Sequence, residues 1–571
     1  MAQTILPFTP CEPRGAEFLA SLPEVLQKAC ENTPFLAAYV ERLPIDTLGV
    51  PDFYQKPPRS LANAEYKNLI YPIRDGLFVH IYPEKSGARE HYIPIEPTSV
   101  FDIDHLMPQV EESLIQYAEE IGQLENKEEK TQLLLKLVNE VCVTKAEMLK
   151  MSANGNGKSN GKAKINKIVV TRPELEAVRY RVLRDKVGLG VLQPLLLDPY
   201  IEDISCSGVG HIFIEHKVFK SLESTVTFAD HDDVDNFVVW LGEWIKSPVT
   251  VRNPLVDAVL PDGSRINIVY GREISKRGSN FTIRKFSGTP TSVLELVEFG
   301  SLDYTIAAYL SLMLEAGMNC FVVGATASGK TTLLNAITTF IRPDAKIITI
   351  EDTPEVQVPH ANWLQESTRS SGGGNNKGSD VGMFELLRAA LRQRPEMIIV
   401  GEIRSVEAVV AFQAMQTGHG VMSTFHAASV EKLIQRLTGD PINIPKTYID
   451  NLNLAIIQSA VRLADGKSAR RVMSVNEIIG YDPVTESFSY LEAFRWNPTT
   501  DKFEFPGYMN SYLLEQIIAQ KRGIPPHRRK EVYDEVKRRA KILEKLHKEK
   551  GVTDFHELFS ILAEARRQKL L

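Results

Sequence analysis

The most informative segment of the chain runs from Asn319 to Ile337 and reads NCFVVGATASGKTTLLNAI. An apolar run, Cys320 to Val323, precedes the pattern GxxxxGK[ST] from Gly324 to Thr331, and apolar residues at helical spacing follow it. The run predicts a buried strand, and the spacing predicts a helix that begins where the pattern ends. Glycine between them allows successive N–H groups to point at one anion. The stretch therefore predicts a phosphate-binding loop in an α/β core.

Each part of this loop has a role in binding a nucleoside triphosphate. Gly324 and Gly329 permit the curl, Lys330 supplies a positive charge to the β- and γ-phosphates, and Thr331 supplies a hydroxyl to Mg²⁺. The helix that follows adds the positive end of its dipole. The alternative is a chance match in a glycine-containing loop, and the flanking strand and helix argue against it. The predicted nucleotide-binding residues are Gly324, Ala325, Thr326, Ala327, Ser328, Gly329, Lys330, Thr331 and Thr332.

Three later segments combine an apolar strand with acidic or histidine residues. They are Thr349 to Glu355, Met397 to Arg404 and Thr417 to His426. Glu351 and Glu402 lie at the carboxyl ends of two of these strands, which is the edge of a parallel sheet where ligands bind. Gly401 occupies the position at which a metal-binding strand usually carries Asp. Taken singly, an acid after a strand is often a helix cap, and His419 is more often a core residue than a sensor. Because the three segments follow a phosphate loop in this order, their combination favours a functional site over separate structural roles.

The whole chain has the composition of a globular protein. It has 571 residues, 43% of them hydrophobic, and a net charge of −6, which argues against a globally basic protein that coats nucleic acid. Its five cysteines are far apart and predict a reducing compartment rather than a disulfide framework or a CxxC zinc site. No secretory signal and no run of about 20 apolar residues are found, so a cytoplasmic location is expected.

Composition and periodicity divide the chain into five parts. These are an α+β N-terminal docking domain (1–150), a flexible linker (151–167), a smaller α/β domain (168–290), a core of alternating strands and helices (291–505) and a helical tail (506–571). A further connecting loop is predicted at 370–379. The tail segment 521–550 has 12 Lys or Arg and 5 Asp or Glu. Two explanations of this positive charge are open. The charged residues form a solvated helix face, or they contact an anionic membrane or an acidic partner.

The four ordered motifs resemble the secretion ATPase superfamily, which comprises the hexameric motors of type II and type IV secretion, type IV pili and the archaellum. They match its Walker A loop, Asp box, atypical Walker B and His box. The segments Asp257 to Ile268 and Phe281 to Phe286 resemble its upstream domain, and the resemblance covers roughly residues 170–505. Bacterial type II motors usually carry a four-cysteine zinc subdomain after the core. No cysteine follows Cys320, so the archaeal branch is favoured.

The resemblance implies a RecA-like fold for the core, with ATP and Mg²⁺ bound at the loop. It implies that Glu351 orients or deprotonates the attacking water and that Glu402 acts with Thr331 on the metal. The residues alone do not rank the two glutamates. His419 and His426 are expected to sense the γ-phosphate.

Arginines of the upstream domain are expected to stabilise charge on the transferred phosphoryl group. Arg265 and Arg284 are the candidates. Strand alternation places Phe281 and Ile283 on one face and Arg284 on the other. The alternative for each arginine is a solvated strand face. If the arginines act across a subunit boundary, hydrolysis requires a ring.

The function expected from the resemblance is an ATP-hydrolysing homo-hexameric motor that powers secretion or the assembly of type IV pilus-like or archaellum filaments. Its expected partners are a polytopic membrane platform protein and prepilin-like subunits, at the inner face of the cell membrane. The alternative is a nucleic-acid translocase or DNA-transfer motor of the same fold. That function needs a basic, aromatic-interleaved channel, which the core sequence lacks, so no direct nucleic-acid contact is expected.

Overall fold

The structure, a computed structural model, describes residues 3–58, 61, 64, 66–84, 89–124, 126–145, 167–286, 289–368, 381–464 and 466–568. The predicted linker lies outside the described residues except for Lys167, and the predicted loop at 370–379 also lies outside them. Among the described helices, none combines the length and the apolar character that crossing a membrane requires.

The chain forms two compact units, Met1–Ser287 and Gly288–Leu571. The strands of the first unit are β1 Gln3–Thr4, β2 Asp52–Phe53, β3 Leu69–Pro72, β4 Phe78–Tyr82, β5 His91–Ile95, β6 Cys142–Thr144, β7 Ile168–Val170, β8 Ile201–Cys206, β9 Gly210–His216, β10 Lys220–Phe228, β11 Leu255–Val259, β12 Arg265–Val269 and β13 Asn280–Arg284. Its helices are α1 Ala16–Ala20, α2 Glu24–Asn32, α3 Pro34–Glu41, α4 Ile45–Leu48, α5 Met107–Ile115, α6 Ala118–Gly122, α7 Lys127–Val141, α8 Arg172–Lys186, α9 Gln193–Leu197 and α10 His231–Trp244.

One sheet crosses the boundary predicted between the first two domains. Its described strands follow the order β11-β12-β13-β8-β9-β10-β5-β4-β3-β2, with β1 beside β10. The two parts meet where β10 pairs in parallel with β5, for example Ser224 with Tyr92. The end of β10 is buried without alternation, which is typical of a strand covered on both faces. Alternation within 212–228 predicts a hairpin, and β9 and β10 form it. The pairing of β10 with β5 was not predictable from the local pattern, because β5 lies far away in sequence.

A buried carboxylate ties the two parts of this sheet together. Asp198 is fully buried and accepts hydrogen bonds from the hydroxyls of Tyr71, at 2.6 Å, and Tyr92, at 2.9 Å. Burial raises the pKa of Asp198, and the two hydroxyls oppose that rise. The carboxylate follows the linker in sequence, whereas both tyrosines precede it.

The second unit is built on a sheet with the order β16-β15-β17-β18-β14-β19-β20-β21-β22 among the described strands. These strands are β14 Cys320–Val323, β15 Ile347–Glu351, β16 Trp363–Ser367, β17 Met397–Ile403, β18 Gly420–Phe425, β19 Leu454–Arg462, β20 Ser468–Asp482, β21 Ser487–Asn497 and β22 Lys502–Glu504. The strands from β16 to β19 pair in parallel, and the last three are antiparallel. The predicted α/β organisation of the core is confirmed.

Helices cover this sheet, and the predicted tail is part of the same unit. The helices are α11 Val293–Glu298, α12 Tyr304–Glu315, α13 Lys330–Thr338, α14 Met383–Ala390, α15 Glu407–Gln416, α16 Val430–Thr438, a π-helix Leu513–Ile518 that runs into α17 Ala519–Lys521, α18 Val532–Lys548 and α19 Phe555–Arg567. The predicted packing stripe of the tail is buried at Val532, Val536 and Leu543. These side chains join the hydrophobic core that also contains Leu333 and Leu334 of the helix after the phosphate loop.

Candidate nucleotide-binding site

The phosphate loop joins the buried strand β14 to helix α13, as the sequence predicts. The N–H of Gly324 donates to the carbonyl oxygen of Phe425 at 3.1 Å, which fixes the start of the loop to the neighbouring strand. Gly329 ends the loop with a φ of 90°, in the left-handed region that glycine adopts without a steric penalty. A Cβ on Gly324 would lie 2.2 Å from the carbonyl oxygen of Gln458. Both glycines are therefore required by the local geometry.

Lys330 begins helix α13 and folds back across the loop. Its side chain is largely buried, and Nζ donates to the carbonyl oxygen of Ala325 at 2.9 Å. Burial lowers the pKa of Lys330, and the charge of Glu402 opposes that change. Thr331 and Thr332 lie in the first turn of the helix, whose free N–H groups and dipole favour an anion.

Glu402, Arg404 and His426 meet at the carboxyl ends of β17 and β18. Arg404 donates Nε to Glu402 Oε2 at 2.7 Å, and Nε2 of His426 lies 2.6 Å from Glu402 Oε1. The pKa of His426 is lowered by burial and then by the positive charge of Lys330. The structure therefore brings Lys330, Glu402 and His426 into one electrostatic cluster beside the phosphate loop.

A bulge at Gly401 separates Glu402 from the regular part of its strand. Val400 pairs with Ser423 and Glu402 pairs with Thr424, so Gly401 is the extra residue. The hydroxyl of Thr424 donates to the carbonyl oxygen of Gly401 at 2.7 Å. A bulge changes the direction of the side chain that follows it, and here that side chain is Glu402.

Glu351 ends β15, the strand next to β17, and is almost completely buried. Its Oε1 accepts the N–H groups of Glu355 and Val356, both at 2.8 Å, while Oε2 is buried with no hydrogen-bond partner among the described residues. Burial raises the pKa of Glu351 to about 7. A Cβ on Gly401 would lie 2.9 Å from Glu351 Cγ. The Gly that replaces the usual Asp thus leaves room for the Glu351 side chain.

His419 does not lie with these residues. It precedes β18, whereas His426 follows it, so an extended strand of roughly 23 Å separates the two histidines. Nδ1 of His419 lies 3.0 Å from the carbonyl oxygen of Pro395, at the amino-terminal edge of the sheet. Within this chain, the structure does not bring His419 to the phosphate loop, because the six residues of β18 separate it from the carboxyl-terminal edge of the sheet.

Arg265 and Arg284 belong to the first unit and lie directly opposite each other on β12 and β13. The predicted alternation of β13 is observed: Phe281 and Ile283 are buried, and Arg284 is exposed. Arg265 lies 3.8 Å from Asp257 and Arg284 lies 3.9 Å from Asp203, both long ion-pair distances. The structure therefore brings the two arginines together on one exposed face.

Two residues beside the loop were not predicted. Arg470 of β20 donates Nε to the carbonyl oxygen of Ala327 at 3.2 Å, and Ala327 has an unusual positive φ of 60°. Gln458 is buried in the middle of β19, and its Oε1 has no hydrogen-bond partner among the described residues. Neither residue belongs to a sequence motif, because their proximity to the loop depends on strand order.

A protein-family model described as "Type II/IV secretion system protein" matches residues 185–493 of the chain. The chain belongs to this family. The matched span contains the phosphate loop, both glutamates, both histidines and the two arginines. The predicted resemblance to the secretion ATPase superfamily is confirmed.

The chain is similar to an uncharacterized protein and to VirB11 proteins of type IV secretion systems. The uncharacterized protein MJ0900 of Methanocaldococcus jannaschii is 43% identical over 540 residues, which cover 94% of this chain and 96% of that protein. The type IV secretion system protein VirB11 of Bartonella henselae is 29% identical over 232 residues, covering 35% of this chain and 64% of that protein. A crystal structure of the VirB11 ATPase of Brucella suis with sulphate has 25% identity and a TM-score of 0.26, and the match covers 52% of this chain and 93% of that chain.

Proposed function

We propose that this family member is an ATP-hydrolysing subunit of a homo-hexameric motor that powers secretion or the assembly of pilus-like or archaellum filaments. The observation that carries the proposal is the cluster of Lys330, Glu402 and His426 at the phosphate loop. A loop that lacked catalysis would have no need for these groups or for the buried Glu351 beside them.

The residues fit a magnesium nucleotide. No group of three or more His, Cys, Asp or Glu side chains among the described residues is placed to hold a metal ion without other ligands. Mg²⁺ suits such a site because it is usually bound by one or two carboxylates, waters and substrate phosphates. Thr331 and Glu402 are the residues that would hold it, and the ion would neutralise charge on the phosphates. Lys330 would bind the β- and γ-phosphates.

Glu351 is the general base in this proposal. Its pKa of about 7 suits proton transfer near neutral pH, because a base works best when its pKa lies near the working pH. Its Oε2 has no protein partner among the described residues, so it is the oxygen that would accept a proton from the attacking water. Glu402 lies in the charge cluster with Lys330 and is assigned to the metal.

Arg265 and Arg284 are proposed to act on the nucleotide of a neighbouring subunit. Two like charges directly opposite each other on adjacent strands destabilise a sheet, and here long ion pairs with Asp257 and Asp203 offset them in part. Both arginines are well exposed, and their ion pairs are long. Exposed Leu255 and Val259 lie on the neighbouring strand β11, as expected for a face that packs against another subunit.

Family membership supports a proposal for membrane partners. We propose that the motor acts with a polytopic membrane platform protein and prepilin-like subunits, peripheral to the cytoplasmic face of the membrane. The predicted N-terminal docking domain, residues 1–150, is the proposed contact. A chromosomal Lys330→Ala allele is expected to abolish surface filaments or secreted proteins, as judged by electron microscopy and by the proteins in the medium.

Two substitutions test the catalytic assignment. Lys330→Ala should abolish ATP turnover because it removes the phosphate-binding charge, whereas Glu402→Gln should retain nucleotide binding and lose hydrolysis. Phosphate release and binding of a fluorescent nucleotide measure the two properties. Lys446→Ala is the matched control, because Lys446 is a half-exposed lysine 3.8 Å from Glu486 and outside the site. Undiminished turnover in Lys330→Ala or Glu402→Gln would contradict the proposal.

A further inference from the structure

Arg470 of β20 places a positive charge against the phosphate loop. Its Nε donates to the carbonyl oxygen of Ala327 at 3.2 Å. Among the described residues this is the only hydrogen bond of the side chain, and no carboxylate pairs with it. Arg470 is also exposed. The guanidinium group therefore keeps donors that the described part of the chain does not use.

The hairpin of β19 and β20 lies along the whole loop. A Cβ built on Gly324 would lie 2.2 Å from the carbonyl oxygen of Gln458, and one built on Gly329 would lie 3.0 Å from Cδ of Arg470. The first and last glycines of the loop are therefore both close to this hairpin. Ala460, which pairs with Arg470 across the two strands, is exposed and carries only a methyl group. A side chain of this size leaves the guanidinium group accessible.

The order of the strands places Arg470 and the charge cluster on opposite sides of the loop. The sheet runs β17-β18-β14-β19-β20, and the phosphate loop follows β14. Glu402 lies on β17 and His426 follows β18, whereas Arg470 lies on β20. A nucleotide whose γ-phosphate lies near Glu402 therefore has its nucleoside end on the side of β19 and β20.

We propose that the guanidinium group of Arg470 stacks on the base of the bound nucleotide. Arginine suits this contact because its charge is spread over a plane that packs on aromatic faces, and every base has such a face. Lysine carries a compact charge without the plane. The inference rests on the proposed nucleotide-binding function and adds the residue that binds the base.

Two other roles for Arg470 would give different results. The guanidinium group could bind a phosphate oxygen, or it could only hold Ala327 in its positive-φ conformation. In either case, its loss would weaken every ligand that contains the phosphate chain. Inorganic tripolyphosphate has this chain without a ribose or a base. A comparison of ATP with tripolyphosphate therefore separates a contact with the base from both other roles.

The test is titration calorimetry of the full chain with ATP and with tripolyphosphate, each in the presence of Mg²⁺. Arg470→Met should raise the dissociation constant of ATP about five- to tenfold and leave that of tripolyphosphate unchanged. Arg470→Lys keeps the charge without the plane, so it should bind ATP as weakly as Arg470→Met. If Arg470→Met does not fold, as judged by circular dichroism, Arg470→Lys decides by the same comparison.

Arg495→Met is the matched control. Arg495 is an exposed arginine on β21 of the same sheet, and its Nε donates to Glu492 at 2.7 Å. This variant should bind both ligands like the wild type. Lys330→Ala reports on the proposed function itself and should weaken both ligands, because it removes the charge that binds the phosphates.

Equal losses of affinity for ATP and for tripolyphosphate in Arg470→Met would overturn the stacking contact. Wild-type affinity for ATP in Arg470→Met or in Arg470→Lys would also overturn it, and the nucleotide-binding function would stand. A wild-type chain that binds neither ligand would overturn the proposed function and this inference together.

Discussion

Gly401 shows how one residue sets the position of a catalytic candidate. A methyl group at this position would come within 2.9 Å of Glu351 Cγ and 3.3 Å of its Oε1, so Gly401→Ala should displace the Glu351 side chain. We expect ATP turnover to fall by about tenfold or more, equivalent to about 1.4 kcal/mol in the barrier, with nucleotide affinity nearly unchanged.

Steady-state kinetics and nucleotide titration measure the two effects of Gly401→Ala. Gly122→Ala is the control, because nothing lies within 4 Å of a Cβ built at Gly122. If Gly401→Ala hydrolyses ATP at the normal rate, hydrolysis does not depend on the position of the Glu351 side chain.

The raised pKa of Glu351 has a consequence for stability. Burial raises this pKa from 4.5 to about 7, so between these values the folded chain holds a proton that the unfolded chain has released. The free energy of unfolding therefore falls as pH rises through this window. We expect this fall, about 3 kcal/mol, to be absent from Glu351→Gln, whose side chain stays neutral.

Denaturant unfolding in the presence of a chelator, at several pH values from about 5 to about 8, measures this difference. Glu243→Gln is the control, because Glu243 is exposed and belongs to the first unit, and it should follow the wild-type profile. Parallel profiles for wild type and Glu351→Gln would show that Glu351 ionises normally.

At the scale of elements, α19 stabilises the end of the phosphate-loop helix through Arg566. This side chain is largely buried and donates to two backbone carbonyls beyond α13. Removal of one member of a buried ionic cluster typically costs about 3–5 kcal/mol, so Arg566→Met should strongly destabilise the second unit. Arg567→Met should cost less than about 0.5 kcal/mol, because Arg567 is 77% exposed and its ion pair is with nearby Glu564.

Denaturant unfolding compares the stability of Arg566→Met with that of Arg567→Met. Equal stability of the two variants would mean that the tail does not support α13 through this contact.

At the scale of the whole molecule, the proposed ring predicts complementation between two inactive variants. Arg284→Ala lacks the proposed stabilising charge, and Lys330→Ala lacks the phosphate-binding charge. In a mixed ring, an intact Arg284 from one subunit meets an intact phosphate loop from another. An equimolar mixture, reassembled from dissociated subunits, should recover roughly a quarter of the wild-type turnover, because half of the loops and half of their neighbours are intact.

The turnover of the mixture is compared with that of each variant alone at the same total concentration. A mixture that is no more active than the variants would show that Arg284 does not act between subunits. A mixture of Arg284→Ala with Arg265→Ala tests whether the two arginines act from the same subunit face, and it should remain largely inactive.

Local sequence predicted the site where a motif and its flanking elements agree. The loop from Gly324 to Thr331, the strand before it and the helix after it are confirmed because their chemistry and periodicity are local. The place of His419 was not predictable, because a strand of six residues carries it to the opposite edge of the sheet. The contact of Arg470 with the loop was missed because β20 lies far away in sequence.

The order of residues was enough to predict the phosphate loop, the acidic and histidine segments behind it, the family and the alternation that exposes Arg284. These features depend on residue type and on periods of two or 3.6 residues, which neighbours along the chain specify. Three features became visible only in the folded chain. The strands before and after the linker share one sheet, Gly401 makes room for Glu351, and the tail helices pack on α12 and contact the end of α13. These outcomes depend on contacts between residues distant in sequence, which hydrophobic burial selects and no local pattern records.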